Sequence, residues 1–116
     1  AKVAEVRADP RAALHVLVPK SDLQIRLSGR VTVAVGDADA WARVPEGARA
    51  VYGGTPEPGA PLDTPEAFEP DPQRARFATL TLTVETADIL HLGRDRHSRV
   101  RATWAGDGWE SGWIAP

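Results

Sequence analysis

The run Leu23-Gln24-Ile25-Arg26-Leu27-Ser28-Gly29-Arg30-Val31-Thr32-Val33 alternates residue by residue between two kinds of side chain. Leu23, Ile25, Leu27, Gly29, Val31 and Val33 fall on one face of an extended chain, and Gln24, Arg26, Ser28, Arg30 and Thr32 on the other. A period of two is the signature of a half-buried β-strand, because successive side chains of a strand point to opposite faces. The strand is predicted to run from Leu23 to Val35 and to organise the fold around an antiparallel sheet.

Working backwards, Pro19-Lys20-Ser21-Asp22 reads as a turn, and Ala12–Val18 as a strand with Leu14, Val16 and Val18 on one face. The two strands form a predicted hairpin. Before them, residues 2–8 read as a short helix that Asp9-Pro10 ends, since the residue before a proline disfavours helix. Working forwards, Asp37–Arg43 suits a short helix with acids in its first turn. Pro45 stops it, and Glu46–Tyr52 reads as a second short helix. Gly53–Pro72 holds six prolines and three glycines in twenty residues and reads as a long loop. Alternation resumes over Phe77–Val84, and a further strand is expected at Ile89–Leu92. Arg99–Trp104 and Trp109–Ile114 flank a tight turn at Gly106-Asp107-Gly108. The expectation is mainly β: a small antiparallel barrel with short helices.

With 116 residues and 12.5 kDa, one domain over residues 1–116 is expected. The chain has no cysteine, which excludes disulfides and thiolate chemistry and fits a reducing, cytoplasmic setting. It has no apolar run near the roughly 20 residues of a membrane span. It begins at Ala1 with the helix of residues 2–8 already under way, so an N-terminal part is expected to precede it; removal of a Met before Ala1 is the alternative. His15, His91 and His97 lack metal-type spacing, and no nucleophile elbow, phosphate-binding loop or dinucleotide fingerprint is present. If the chain is an enzyme, an organic cofactor supplies the chemistry.

Charge is concentrated. Four arginines and two histidines lie within the eleven residues His91–Arg101, in a chain of formal net charge −2. Arg99 and Arg101 share a strand face and offer either a bidentate grip on an anion or a solvated edge. Gln24 and Arg26 form either a polar outward face or, through the amide's paired donor and acceptor, a contact for the edge of a heteroaromatic ring. Trp104 and Trp109 are placed to pair across their hairpin. The tryptophans around it suit core or dimer packing, with stacking on a planar ligand as the alternative.

Three stretches, taken in order, resemble the pyridoxamine 5'-phosphate oxidase family, the FMN-binding split barrels. Lys2–Leu14 resembles the family's lysine-led helix ending at Asn-Pro or Asp-Pro before a strand. Leu23–Val31 resembles its strand containing Gln before an alternating run. Arg99–Arg101, Gly108-Trp109 and Ile114-Ala115-Pro116 resemble its C-terminal ending. The resemblance implies an antiparallel split β-barrel of which this chain is the C-terminal portion, with FMN as cofactor. It implies a flavin-dependent oxidoreductase acting on a small molecule, and a homodimer with FMN at the interface.

Position by position, the resemblance assigns FMN contacts to Lys2, Gln24 and Arg99, with Arg101 as the alternative to Arg99. Leu90 stands near the place of the family's flavin-lining tryptophan. His97, with Arg96 beside it, falls where the oxidase grips its substrate, but adjacent residues of a strand point to opposite faces. These departures weaken the case for pyridoxine phosphate as substrate. The alternatives are a non-catalytic module for flavin, deazaflavin or haem, and a small barrel binding oligoanions through Arg94–Arg101. The net negative charge weighs against nucleic acid.

Overall fold

The computed structural model describes residues 2–116; Ala1, where the chain begins, lies outside the described residues. Helix α1 spans Lys2–Ala8, with Glu5 in its first turn and Arg7 in its last, the arrangement the helix dipole favours. Strand β1 (Arg11–Val18) and strand β2 (Leu23–Val35) follow, separated by a short 3₁₀ turn at Pro19–Ser21. Asp22 closes that turn at φ 50°, a left-handed conformation that Asp tolerates better than most residues. The turn sets an antiparallel register in which His15 lies opposite Arg26 and Leu17 opposite Gln24.

The third long strand, β5 (Ala78–Leu92), is one continuous element of 15 residues. Two separate strands were expected from the sequence. Thr86 and Asp88 interrupt the apolar pattern of the face they share with Leu90, and Glu85 that of the opposite face, without interrupting the backbone. Strands β6 (His97–Trp104) and β7 (Trp109–Ile114) complete a five-stranded sheet of order β1-β2-β5-β6-β7. The hairpin between β6 and β7 turns at Gly106, φ 100°, and closes through Ala105 N–H to Gly108 O at 2.8 Å. At Gly29 of β2 the neighbouring strand leaves no room for a side chain: a Cβ there would lie 1.9 Å from the Thr83 carbonyl oxygen.

The chain divides into two compact units, residues 1–32 with 81–116, and residues 33–80. The second unit holds helix α2 (Ala38–Arg43), helix α3 (Glu46–Arg49) and the Pro/Gly-rich segment. Asp37 caps α2 through its side chain, which accepts from Ala40 N–H at 2.7 Å. The second helix is shorter than the predicted 46–52. The long loop is also more ordered than its composition implies: strands β3 (Gly54–Thr55) and β4 (Glu69–Pro70) pair across it. Trp41, Tyr52 and Phe77 form an aromatic cluster with centroids 5.1 to 5.8 Å apart, and Phe77 is 5% exposed.

In the first unit, Val31 is the one buried hydrophobe among the described residues. Trp104 and Trp109 do pair, edge to face at 5.6 Å, as expected. They are not core, however: both are exposed, and Trp113 is 78% exposed. The reason is register. Trp104 and Trp109 are opposite each other at the turn end of the β6–β7 hairpin, and Trp113 faces Val100 from the edge strand β7.

Candidate active site

One face of the first unit collects the polar side chains. The β1–β2 register puts His15 and Leu17 on the same face as Arg26 and Gln24. The β5–β6 register puts Asp88 opposite Arg101 and Leu90 opposite Arg99. A backbone bond from Leu92 N–H to Asp22 O at 2.8 Å ties the start of β2 to the end of β5. Counting two residues in from each partner brings Gln24 alongside Leu90. The turn at Pro19–Asp22 therefore sets both the hairpin and the geometry of the site.

The result is a cleft of about 210 Å³ lined by His15, Gln24, Arg26, Asp88, Leu90 and Arg99. It offers one apolar side chain (Leu90), one amide with both donor and acceptor (Gln24), and charged groups around them. A second cleft, of about 380 Å³, shares Arg26, Asp88 and Arg99 and adds Ser28, Thr86, Arg101 and Thr103. A third, also about 380 Å³, is lined by Arg96, His97, Ser98, Arg99, Trp113, Ile114 and Pro116. Arg99 lines all three.

Asp88 governs the electrostatics. Arg99 donates to it from Nε and Nη2, each at 2.8 Å, and Arg101 donates from Nη2 at 2.9 Å. The Asp88 side chain is 17% exposed. A forked, charge-assisted contact of this kind is stronger than a neutral hydrogen bond and fixes the guanidinium plane. The Arg99 guanidinium holds the Asp88 carboxyl at about 2, below its ordinary 3.8. Partial burial opposes that shift, and Arg101 adds to it. Asp88 in turn raises the Arg99 pKa.

Gln24, Leu90 and Arg99 therefore come together in one cleft, and Arg101 lines the adjoining one. Lys2 does not join them: it opens α1, is exposed, and lines none of these clefts. Arg96 and His97 line the same cleft although they are adjacent. His97 is the first residue of β6, and Arg96 lies in the loop just before it.

Sequence reasoning missed His15 and Asp88. His15 was recoverable: a turn centred between Val18 and Leu23 pairs residue 15 with residue 26. Asp88 was hidden by reading a break before Ile89. In a continuous strand it shares the face of Leu90 and meets the arginines of β6.

No protein-family model matches the chain, and no curated protein sequence does. Solved structures do. A pyridoxamine 5'-phosphate oxidase-related, FMN-binding protein from Nostoc punctiforme superposes with a TM-score of 0.83 at 26% identity, over 100% of this chain and 68% of that one. PhzG from Burkholderia lata, in complex with tetrahydrophenazine-1-carboxylic acid, superposes with a TM-score of 0.72 at 19% identity, over 97% of this chain and 62% of that one, a likeness of fold alone. The chain thus spans 68% and 62% of the lengths of these two proteins. In fold, the chain is a mainly β, antiparallel split barrel similar to the pyridoxamine 5'-phosphate oxidase-related proteins.

Proposed function

We propose that this chain is the FMN-binding portion of a flavin-dependent oxidoreductase related to pyridoxamine 5'-phosphate oxidase. The observation that carries the reading is the convergence of Gln24, Leu90 and Arg99 on one cleft of a sheet with this fold. The donor set suits a flavin. The Gln24 amide can both give and accept a hydrogen bond at the heteroatom edge of an isoalloxazine ring. Leu90 supplies an apolar surface for the ring face. Arg99, its plane fixed by Asp88, supplies a cation beside electron-rich carbonyl and nitrogen positions.

When bound, FMN supplies hydride acceptance and onward electron transfer, chemistry that no side chain here can perform alone. The chain's own groups bind and orient: Gln24 and Arg99 at the ring, with Arg101 in the adjoining cleft. Lys2 enters this reading through the resemblance alone, since it lines none of the clefts. Arg96 and His97, lining one cleft with Trp113, form the proposed substrate grip. The exposed tryptophans of β6 and β7 favour a homodimer, since an apolar strip of this kind marks an interaction surface. A cytoplasmic location fits the absence of cysteine. Among the described residues, no helix is long and apolar enough to cross a membrane.

Absorbance of the purified protein tests the reading. Flavin bands, with FMN released on denaturation, are the expected result. Protein that is colourless and gains no bands on addition of FMN contradicts it. A flavin that binds but is not reoxidised after photoreduction with any acceptor supports a non-catalytic carrier instead.

A further inference from the structure

The second cleft contains a guanidinium that the fold itself leaves unused. Asp88 holds Arg99 and Arg101. Arg26 is exposed and makes no ion pair and no side-chain hydrogen bond among the described residues. Solvated arginines are common on edge strands, where they block unwanted pairing. That explanation does not serve here, because β2 lies inside the sheet, between β1 and β5. Arg26 lines both the Gln24–Leu90 cleft and the larger cleft of about 380 Å³.

In the larger cleft Arg26 is accompanied by Ser28, Thr86 and Thr103, whose hydroxyls each offer one donor, and by the Asp88-held pair Arg99 and Arg101. Three guanidinium cations against the one carboxylate of Asp88 leave the cleft with a formal excess of two positive charges. Cations gathered on one sheet face repel one another unless an anion sits among them. A tetrahedral or planar oxyanion meets both demands, accepting the hydroxyl hydrogen bonds and balancing the charge.

We propose that this cleft is an oxyanion subsite, anchored by Arg26 and completed by Ser28, Thr86 and Thr103, that takes the phosphate or carboxylate group of a small molecule. Its anion binding stands independently of the flavin reading. Its role rests on that reading: Arg26 bridges the two clefts, so an anion held there positions the rest of the molecule beside the Gln24–Leu90 cleft.

The test is titration of the chain, with and without FMN, by inorganic phosphate and by benzoate, followed through the backbone amide resonances of Thr86 and Thr103. Saturable shifts with one or both probes are expected, and the tighter probe identifies the carrier as phosphate or carboxylate. Arg26→Met weakens binding of that probe by roughly tenfold or more, the usual cost of losing a charged hydrogen-bond donor. Arg26→Lys restores part of the loss. The pair Thr86→Val and Thr103→Val lowers anion affinity while leaving FMN affinity unchanged, since neither residue lines the Gln24–Leu90 cleft.

Absence of saturation with both probes, or wild-type anion affinity in Arg26→Met, overturns the proposal. So does mutual exclusion of phosphate and FMN, which assigns the cleft to the cofactor. A chain that binds no FMN yet binds phosphate through Arg26 removes the flavin reading and leaves the subsite standing.

Discussion

Asp88 stands directly opposite Arg101 in the β5–β6 ladder, yet its two-pronged contact goes to the diagonal residue, Arg99. Both Asp88 oxygens accept from Arg99 at 2.8 Å, whereas Arg101 shares a single oxygen. The carboxylate thus draws in the one arginine that lines all three clefts and holds its guanidinium plane fixed. Arg99 enters the site pre-oriented, so binding costs little further side-chain entropy.

Asp88→Ala leaves two like-charged guanidinium groups on adjacent positions of one strand face without their shared acceptor. The fold is expected to lose about 1–2 kcal/mol, the usual range for removing a charged hydrogen-bond partner. Urea unfolding, read as the shift in midpoint at constant slope, measures it. An unchanged midpoint means that the fork is cosmetic.

The same carboxylate sets an acid limit. Its pKa is held at about 2 in the folded chain against an ordinary 3.8. A depressed folded pKa contributes stability that is complete above the unfolded value and disappears as pH falls towards the folded one. Stability is therefore expected to fall between about pH 4 and pH 2. Asp9, held at about 2 by Arg11, titrates in the same window. Comparing Asp88→Asn with Asp9→Asn separates them: each variant flattens part of the acid limb in unfolding measured from pH 5 to pH 2.

Gly29→Ala places a methyl group 1.9 Å from the Thr83 carbonyl oxygen, a backbone atom that cannot swing aside. Forcing β2 and β5 apart is expected to cost roughly 3 kcal/mol, the upper part of the range for overpacking. Thermal unfolding checks this. A variant with wild-type stability shows that the two strands can separate there freely.

The Trp104–Trp109 contact crosses a hairpin with both rings exposed, so its worth lies in the pair rather than in burial. A double-mutant cycle with Trp104→Ala and Trp109→Ala is expected to give a coupling of about 1 kcal/mol. Additive losses show that the rings are held independently.

Much of this architecture was legible in the residues. Alternation gave β2 from Leu23 to Val35 at the bounds observed, because one of its faces is apolar throughout. The hairpin turns were marked by Pro19 and by Gly106. What escaped was the continuity of β5, where Thr86 and Asp88 read as a break because period-two reasoning expects an apolar face and this face is open. The pairing of β3 with β4 was also invisible, since two-residue strands carry no periodicity. At the site, resemblance named Gln24, Leu90 and Arg99, which the fold gathers into one cleft, and Lys2, which it does not. Asp88 and His15 depend on cross-strand register, which a one-dimensional pattern shows only after the turns are placed.

The central claim is that a flavin lies against Gln24 and Arg99. The most direct measurement is titration of FMN with the chain, following quenching of flavin fluorescence, for wild type, Gln24→Ala and Arg99→Ala. The account predicts saturable binding by wild type and affinity weakened by roughly tenfold in each variant, as expected for losing one well-placed hydrogen-bonding group in a site. Absence of saturable quenching by wild type, or variants that bind FMN as wild type does, contradicts it.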